Sequence, residues 1–162
     1  MFDMLLLHFL IIIHYCLLLR VECIRWISHP IYPLGPLSQV CGTGPYMPPE
    51  YVNRGEVSAR TDAFAFGIMA IELLTGLHPV MVRELVDTHL FEELPQMIQN
   101  LHDGKPHDLA VVRGSKPVRT CKWPAAPLKR MSMVAAKCVR LQPRLRTTIA
   151  DVLPELESIS RR

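Results

Sequence analysis

The sequence predicts a mainly α-helical domain built around one buried central helix and preceded by an apolar N-terminal helix. Three observations carry this. Residues 63–74, AFAFGIMAIELL, are apolar on every face except at Glu72, the pattern of a helix surrounded by protein rather than lying on a surface. Downstream, apolar residues recur at helical spacing in three further runs. After residue 40 no stretch shows the alternation of a half-buried strand.

The elements follow in chain order. From Met4 to Leu19 the chain reads MLLLHFLIIIHYCLLL, sixteen residues without a formal charge. As a helix this block spans ~24 Å, short of the ~30 Å hydrocarbon core of a bilayer. Asp3 stands where a signal peptide wants a positive charge, and no small-residue cleavage site follows. Three readings stand side by side: a short anchor or signal, a buried helix, and a segment foreign to the domain's original design. As an anchor it leaves the rest cytosolic, since Arg20 and Arg25 lie on its C-terminal side. Pro30, Pro33, Gly35 and Pro36 then mark a linker. The expected division is an apolar segment at 1–27, a linker at 28–39 and a helical domain at 40–160.

The domain opens on CGTGPYMPPEYVNRG, residues 41–55, a loop rich in glycine and proline whose one buriable charge, Glu50, needs a partner. The central helix comes next. Thr61 is placed to cap it, Asp62 suits its positive end, and Gly76 suits its stop. His78 and Pro79 make a turn. Val82, Leu85, Val86, Leu90, Leu94, Met97, Ile98 and Leu101 continue at helical spacing, with Pro95 dividing the run into two helices. Residues 104–127, with two glycines and four prolines, read as an irregular connection. Leu128, Met131, Val134, Ala135 and Cys138 define an amphipathic helix. A last helix sets Ile149, Val152, Leu153, Leu156 and Ile159 on one face behind the capping pair Thr148 and Asp151, with a kink expected at Pro154.

Composition narrows the function classes. The 162 residues are 49% hydrophobic and 20% charged, which excludes a disordered chain. The net charge is only +3, yet residues 113–146 hold ten Lys or Arg and no Asp or Glu. Such a run either meets phosphates or an anionic membrane, or is a solvated helix surface. Nucleic acid is not expected, because Trp123 is the one aromatic there and nothing interleaves for base stacking. Five scattered cysteines without a C-x-x-C pair fit reduced thiols. His102, Asp103, His107 and Asp108 lack a recognised ligand spacing, so no metal is expected.

Three separated motifs in one order are together specific. GTGPYMPPEY, TDAFAFGIMAIELLTG and KCVRLQPRLRTTIADVLPELE resemble the C-terminal lobe of a protein kinase, in the style of the receptor-like and tyrosine-kinase-like serine/threonine families. The resemblance covers about residues 40–159. It implies that Gly42, Thr43 and Tyr46 belong to the platform on which a substrate peptide lies, with Thr43 favouring Ser/Thr substrates. Pro48, Pro49 and Glu50 stand where the family has Ala-Pro-Glu, proline replacing alanine. Glu50 would pair with Arg146. Asp62 would anchor the catalytic loop to the central helix, and Phe64 would pack beneath the Pro-Pro-Glu stretch.

The same resemblance exposes what is missing. Phosphoryl transfer needs phosphate positioning, metal ligands and a proton acceptor, carried in the family by a Gly-rich loop, a strand lysine, H-R-D and D-F-G. None of these occurs in the 162 residues. Gly42 and Gly44 begin a G-x-G-x-x-G pattern that fails at Met47, and Val134 to Lys137 imitates V-A-I-K inside a helical pattern. The expectation is a truncated protein-kinase-like domain without catalytic residues, using no cofactor of its own although its relatives use Mg-ATP. The alternative is a non-catalytic docking or scaffold module. Its partner would be a protein, and residues 4–19 would supply any membrane contact, placing the chain in the cytoplasm or anchored with the kinase-like part cytosolic. A further expectation is that residues 5–18 fold back as a surrogate helix on the 64–74 core.

Overall fold

The computed structural model describes residues 42–88, 92–103 and 123–160, all within one compact unit, Pro36–Arg162. The apolar segment at 1–27, the linker at 28–39, the surrogate helix, Leu90, His107, Asp108 and residues 104–122 of the expected connection at 104–127 lie outside the described residues, and the end of that connection, from Ala125, is already helical. Among the described residues there are six α-helices and no strand.

Helix α1 (Pro49–Arg54) is a short helix ended by Gly55 in the left-handed conformation. Helix α2 (Ala59–Thr75) is the central one. Its N-cap is Ser58 rather than Thr61. The Arg60 N–H donates to Ser58 Oγ at 3.2 Å, and the Ser58 N–H donates to Thr61 Oγ1 at 3.0 Å. Thr61 therefore closes a capping box from the third helical position. The helix starts earlier than its apolar run because the cap, not the hydrophobicity, sets the end. Gly76 stops it at φ 70°, a conformation that carries no penalty without a Cβ.

Helix α2 contacts every other long helix. It packs against α3 (Pro79–Thr88), α4 (Leu94–His102), α5 (Ala125–Cys138), α6 (Ile149–Ser160) and the 3-10 turn Gly44–Tyr46. Phe64, Ile68 and Ile71 are fully buried, each removal from water worth ~1.5–3 kcal/mol. Gly67 lets α5 come close: a Cβ there would stand 2.6 Å from Val139 Cγ1 and 2.8 Å from Cys138 Cβ. The buried hydroxyls are satisfied along their own helices, Thr75 Oγ1 donating to the Ile71 carbonyl and Ser132 Oγ to that of Leu128.

Pro79 opens α3, and the chain bends by 109° between α2 and α3. Pro95 lies in the first positions of α4, where its missing N–H costs nothing, so the predicted break falls beside it. On α5 the predicted face is the buried one. On α6, Val152, Leu156 and Ile159 are buried, but Leu153 is 40% exposed. The i, i+4, i+7 stripe faces inward and Leu153 sits one step round the helix. Thr148 and Asp151 cap this helix reciprocally. It continues through Pro154 as one element; Pro154 and Ala150, whose carbonyl loses a donor, are both exposed to water. Among the described residues no single helix is long and apolar enough to cross a membrane.

Candidate functional site

The loop from Gly42 to Glu50 is where chemistry-bearing residues converge. Its middle is the single 3-10 turn Gly44–Tyr46, closed by N–H groups of Tyr46 and Met47 donating to the carbonyls of Thr43 and Gly44, each at 3.1 Å. Gly42, Thr43 and Gly44 are exposed, and Gly42 has φ 141°, a conformation that other residues rarely adopt. Three attachments fix this exposed edge to the helices beneath.

The first is a buried ion pair. Glu50 is 5% exposed and Arg146 1% exposed. Arg146 Nη1 donates to Glu50 Oε1 at 2.5 Å and Nη2 to Oε2 at 3.1 Å, a bidentate contact. The remaining guanidinium hydrogens go to the carbonyls of Arg140, Arg60 and Leu141, at 2.8, 3.0 and 3.3 Å. All five donors of the side chain are thus engaged. Arg60 returns the contact, its Nη1 donating to the carbonyls of Arg146 and Pro143. The two arginines lace the 3-10 turn Pro143–Leu145 to the start of α2.

The second attachment runs through Phe64. Its fully buried ring carries two guanidiniums, Arg146 at 4.9 Å and Arg83 at 5.1 Å from the centroid. Each such contact is worth ~0.5–2 kcal/mol, more as water is excluded. Arg83, from α3, also donates to the Met47 carbonyl at 2.5 Å. The third attachment is Tyr46, whose hydroxyl donates to Glu72 Oε2 at 2.7 Å. Burial, with help from the Glu72 carboxylate, pushes the Tyr46 phenol up to about 12. Burial also raises the Glu72 carboxyl, against the opposing pull of the Tyr46 hydrogen bond.

The structure therefore brings Glu50, Arg146 and Phe64 into one cluster and hangs Tyr46 on the far end of α2. Asp62 lies half-buried in the first turn of α2; the catalytic loop it would anchor has no counterpart among the described residues. Sequence reasoning missed Arg83, Arg60 and Ser58. Glu72 did carry a signal, as the lone charge in the otherwise apolar run 63–74, and its partner is Tyr46. Arg83 offered only its spacing from Asp87, which reads as an ordinary surface pair.

Chemically the arrangement can hold a surface in one shape and present it. Among the described residues no three His, Cys, Asp or Glu side chains gather to hold a metal ion. The Gly42–Gly44 stretch leads into a 3-10 turn and a proline pair rather than a phosphate-cradling loop. Cys138 is fully buried and its thiol is pushed up to about 12 by burial, which makes it a poor nucleophile. His102 is held by the backbone N–H of Trp123, which donates to its Nε2 at 2.9 Å.

Comparison with known proteins agrees with this architecture. The sequence profile of the protein kinase domain matches residues 27–155, beginning earlier than the resemblance at residue 40. A probable receptor-like protein kinase of Arabidopsis thaliana is 31% identical over 122 residues, covering 75% of this chain and 24% of that protein. A receptor-like cytoplasmic serine/threonine-protein kinase of Nicotiana benthamiana is 29% identical over 125 residues, 76% of this chain and 25% of the relative. Interleukin-1 receptor-associated kinase 3 of Mus musculus is 30% identical over 113 residues, 70% and 17% respectively. The chain spans a quarter or less of the length of these relatives.

Proposed function

The chain belongs to the protein kinase domain family, and from that premise we propose that it presents the peptide-facing platform of a serine/threonine-kinase-like protein without itself transferring phosphate. One observation carries the reading. The exposed turn at residues 42–46 is fastened to the helical core by the Glu50–Arg146 pair, the Phe64 ring and the Tyr46–Glu72 hydrogen bond. Ordering a loop of glycines and prolines is costly, and so much buried charge serves to keep one shape on the surface. The 162 residues contain none of the motifs that bind nucleotide, metal or the substrate hydroxyl. What is retained is a rigid surface for a protein, the class of molecule on which serine/threonine kinases act.

Two arms test this with the 162-residue chain. Mg-ATP should leave the thermal midpoint unchanged, and no phosphate should pass to protein. An array of Ser- and Thr-centred peptides should include binders that lose affinity when the Glu50–Arg146 pair is broken. A nucleotide-induced shift of several degrees, or peptide binding indifferent to that pair, would overturn the proposal. Placement in the cytoplasm is part of the same reading, with residues 4–19 the segment through which a membrane would be met. Flotation with lipid vesicles, with and without residues 1–27, tests that part.

A further inference from the structure

We propose that Arg83 is the positioning residue that sets the shape of the exposed turn at residues 43–47, coupling it to helix α3. The reason begins with two prolines. Pro48 and Pro49 offer no N–H, and among the amides that follow, those of Tyr51 and Val52 both donate to the Pro48 carbonyl at 3.1 Å. The Met47 carbonyl receives neither of these two amides, and the carbonyl of a half-buried residue needs a donor. Arg83 supplies it from another helix, Nη1 to oxygen at 2.5 Å.

The guanidinium is itself held in place. Its Nε lies 3.0 and 2.9 Å from the two carboxylate oxygens of Asp87, one turn further along α3, and its plane carbon lies 5.1 Å from the Phe64 centroid. The Arg83 side chain is only 20% exposed, so its reach to Met47 is not a loose surface contact. Independently, the turn Gly44–Tyr46 packs on α3 as well as on α2. Movement of α3 is thereby transmitted to the residues whose amides close the turn. By the reciprocity of linked equilibria, a partner that shifts either one biases the other. The inference concerns the shape of the turn and holds whether or not a peptide binds there.

Amide hydrogen exchange of the 162-residue chain tests it. Arg83→Met keeps an apolar stem over Phe64 and removes the donors. It should speed exchange of the Tyr46 and Met47 amides about tenfold or more, the scale for losing a hydrogen bond from a charged donor. Arg83→Lys should restore part of the protection, and amides of α5 and α6 should be unaffected. Asp87→Asn leaves the arginine present but loosely held, and should speed the same two amides to a smaller extent, which keeps the test available if Arg83→Met does not fold. Unchanged exchange at Tyr46 and Met47, or acceleration spread evenly through the helices, would overturn the assignment.

Discussion

Replacing Glu50 by glutamine changes one atom and removes one charge, and the structure says what that does. Arg146 is 1% exposed, and its guanidinium cannot turn to water without leaving the carbonyls of Arg140, Arg60 and Leu141. In Glu50→Gln the guanidinium stays charged, loses its counter-charge, and meets an amide NH2 where one carboxylate oxygen accepted. Leaving one partner of a buried ion pair uncompensated costs ~3–5 kcal/mol. A domain of this size holds only ~5–15 kcal/mol in total, so the variant should be folded but close to its limit. Arg146→Ala should be worse, since it strands a buried carboxylate and three carbonyls and strips one face of Phe64. The double variant Glu50→Gln/Arg146→Met removes the isolated charge and should recover part of the loss. Urea unfolding followed by helical circular dichroism measures all three. A loss below ~1 kcal/mol for Glu50→Gln, the worth of an exposed pair, would refute the claim that this clasp holds the loop to the core.

Gly67→Ala should destabilise by ~1–3 kcal/mol, because the new methyl meets Val139 and the rigid Cys138 Cβ at under 3 Å; a gain in the midpoint of thermal unfolding, as helix propensity alone predicts, would sink this. The Tyr46 phenol should ionise near 12 rather than at its ordinary 10.0. Its contribution is therefore fully present below pH 10 and is lost as pH rises towards 12. Difference absorbance between wild type and Tyr46→Phe isolates this residue among the four tyrosines, and ionisation at its ordinary value would mean the Glu72 contact is not kept in solution.

Much of the fold was legible because its signals are local. The central helix announces itself by being apolar all round, the stop at Gly76 by the backbone freedom of glycine, and the cap of α6 by Thr148 and Asp151 three residues apart. The start of α2 was misplaced because two cap-forming residues, Ser58 and Thr61, lie within one turn, and only the hydrogen bonds show which is which. Leu153 was placed on the buried face because an alternation of apolar residues does not reveal how wide the covered stripe is; packing against α5 decides that.

The candidate site divides along the same line. The order of its motifs, read along the chain, already implied that Glu50 and Arg146 meet although 96 positions separate them. Which further side chains join them was decided only by the tertiary structure. Arg60 reaches the carbonyls of the turn before α6, and Arg83 arrives from α3 to donate to the Met47 carbonyl beside the two prolines. A long guanidinium on a helix looks the same in sequence whether it ends in water or against a ring. The difference lies in which surfaces the bend between α2 and α3 and the close approach at Gly67 bring together, and those are properties of the packed molecule.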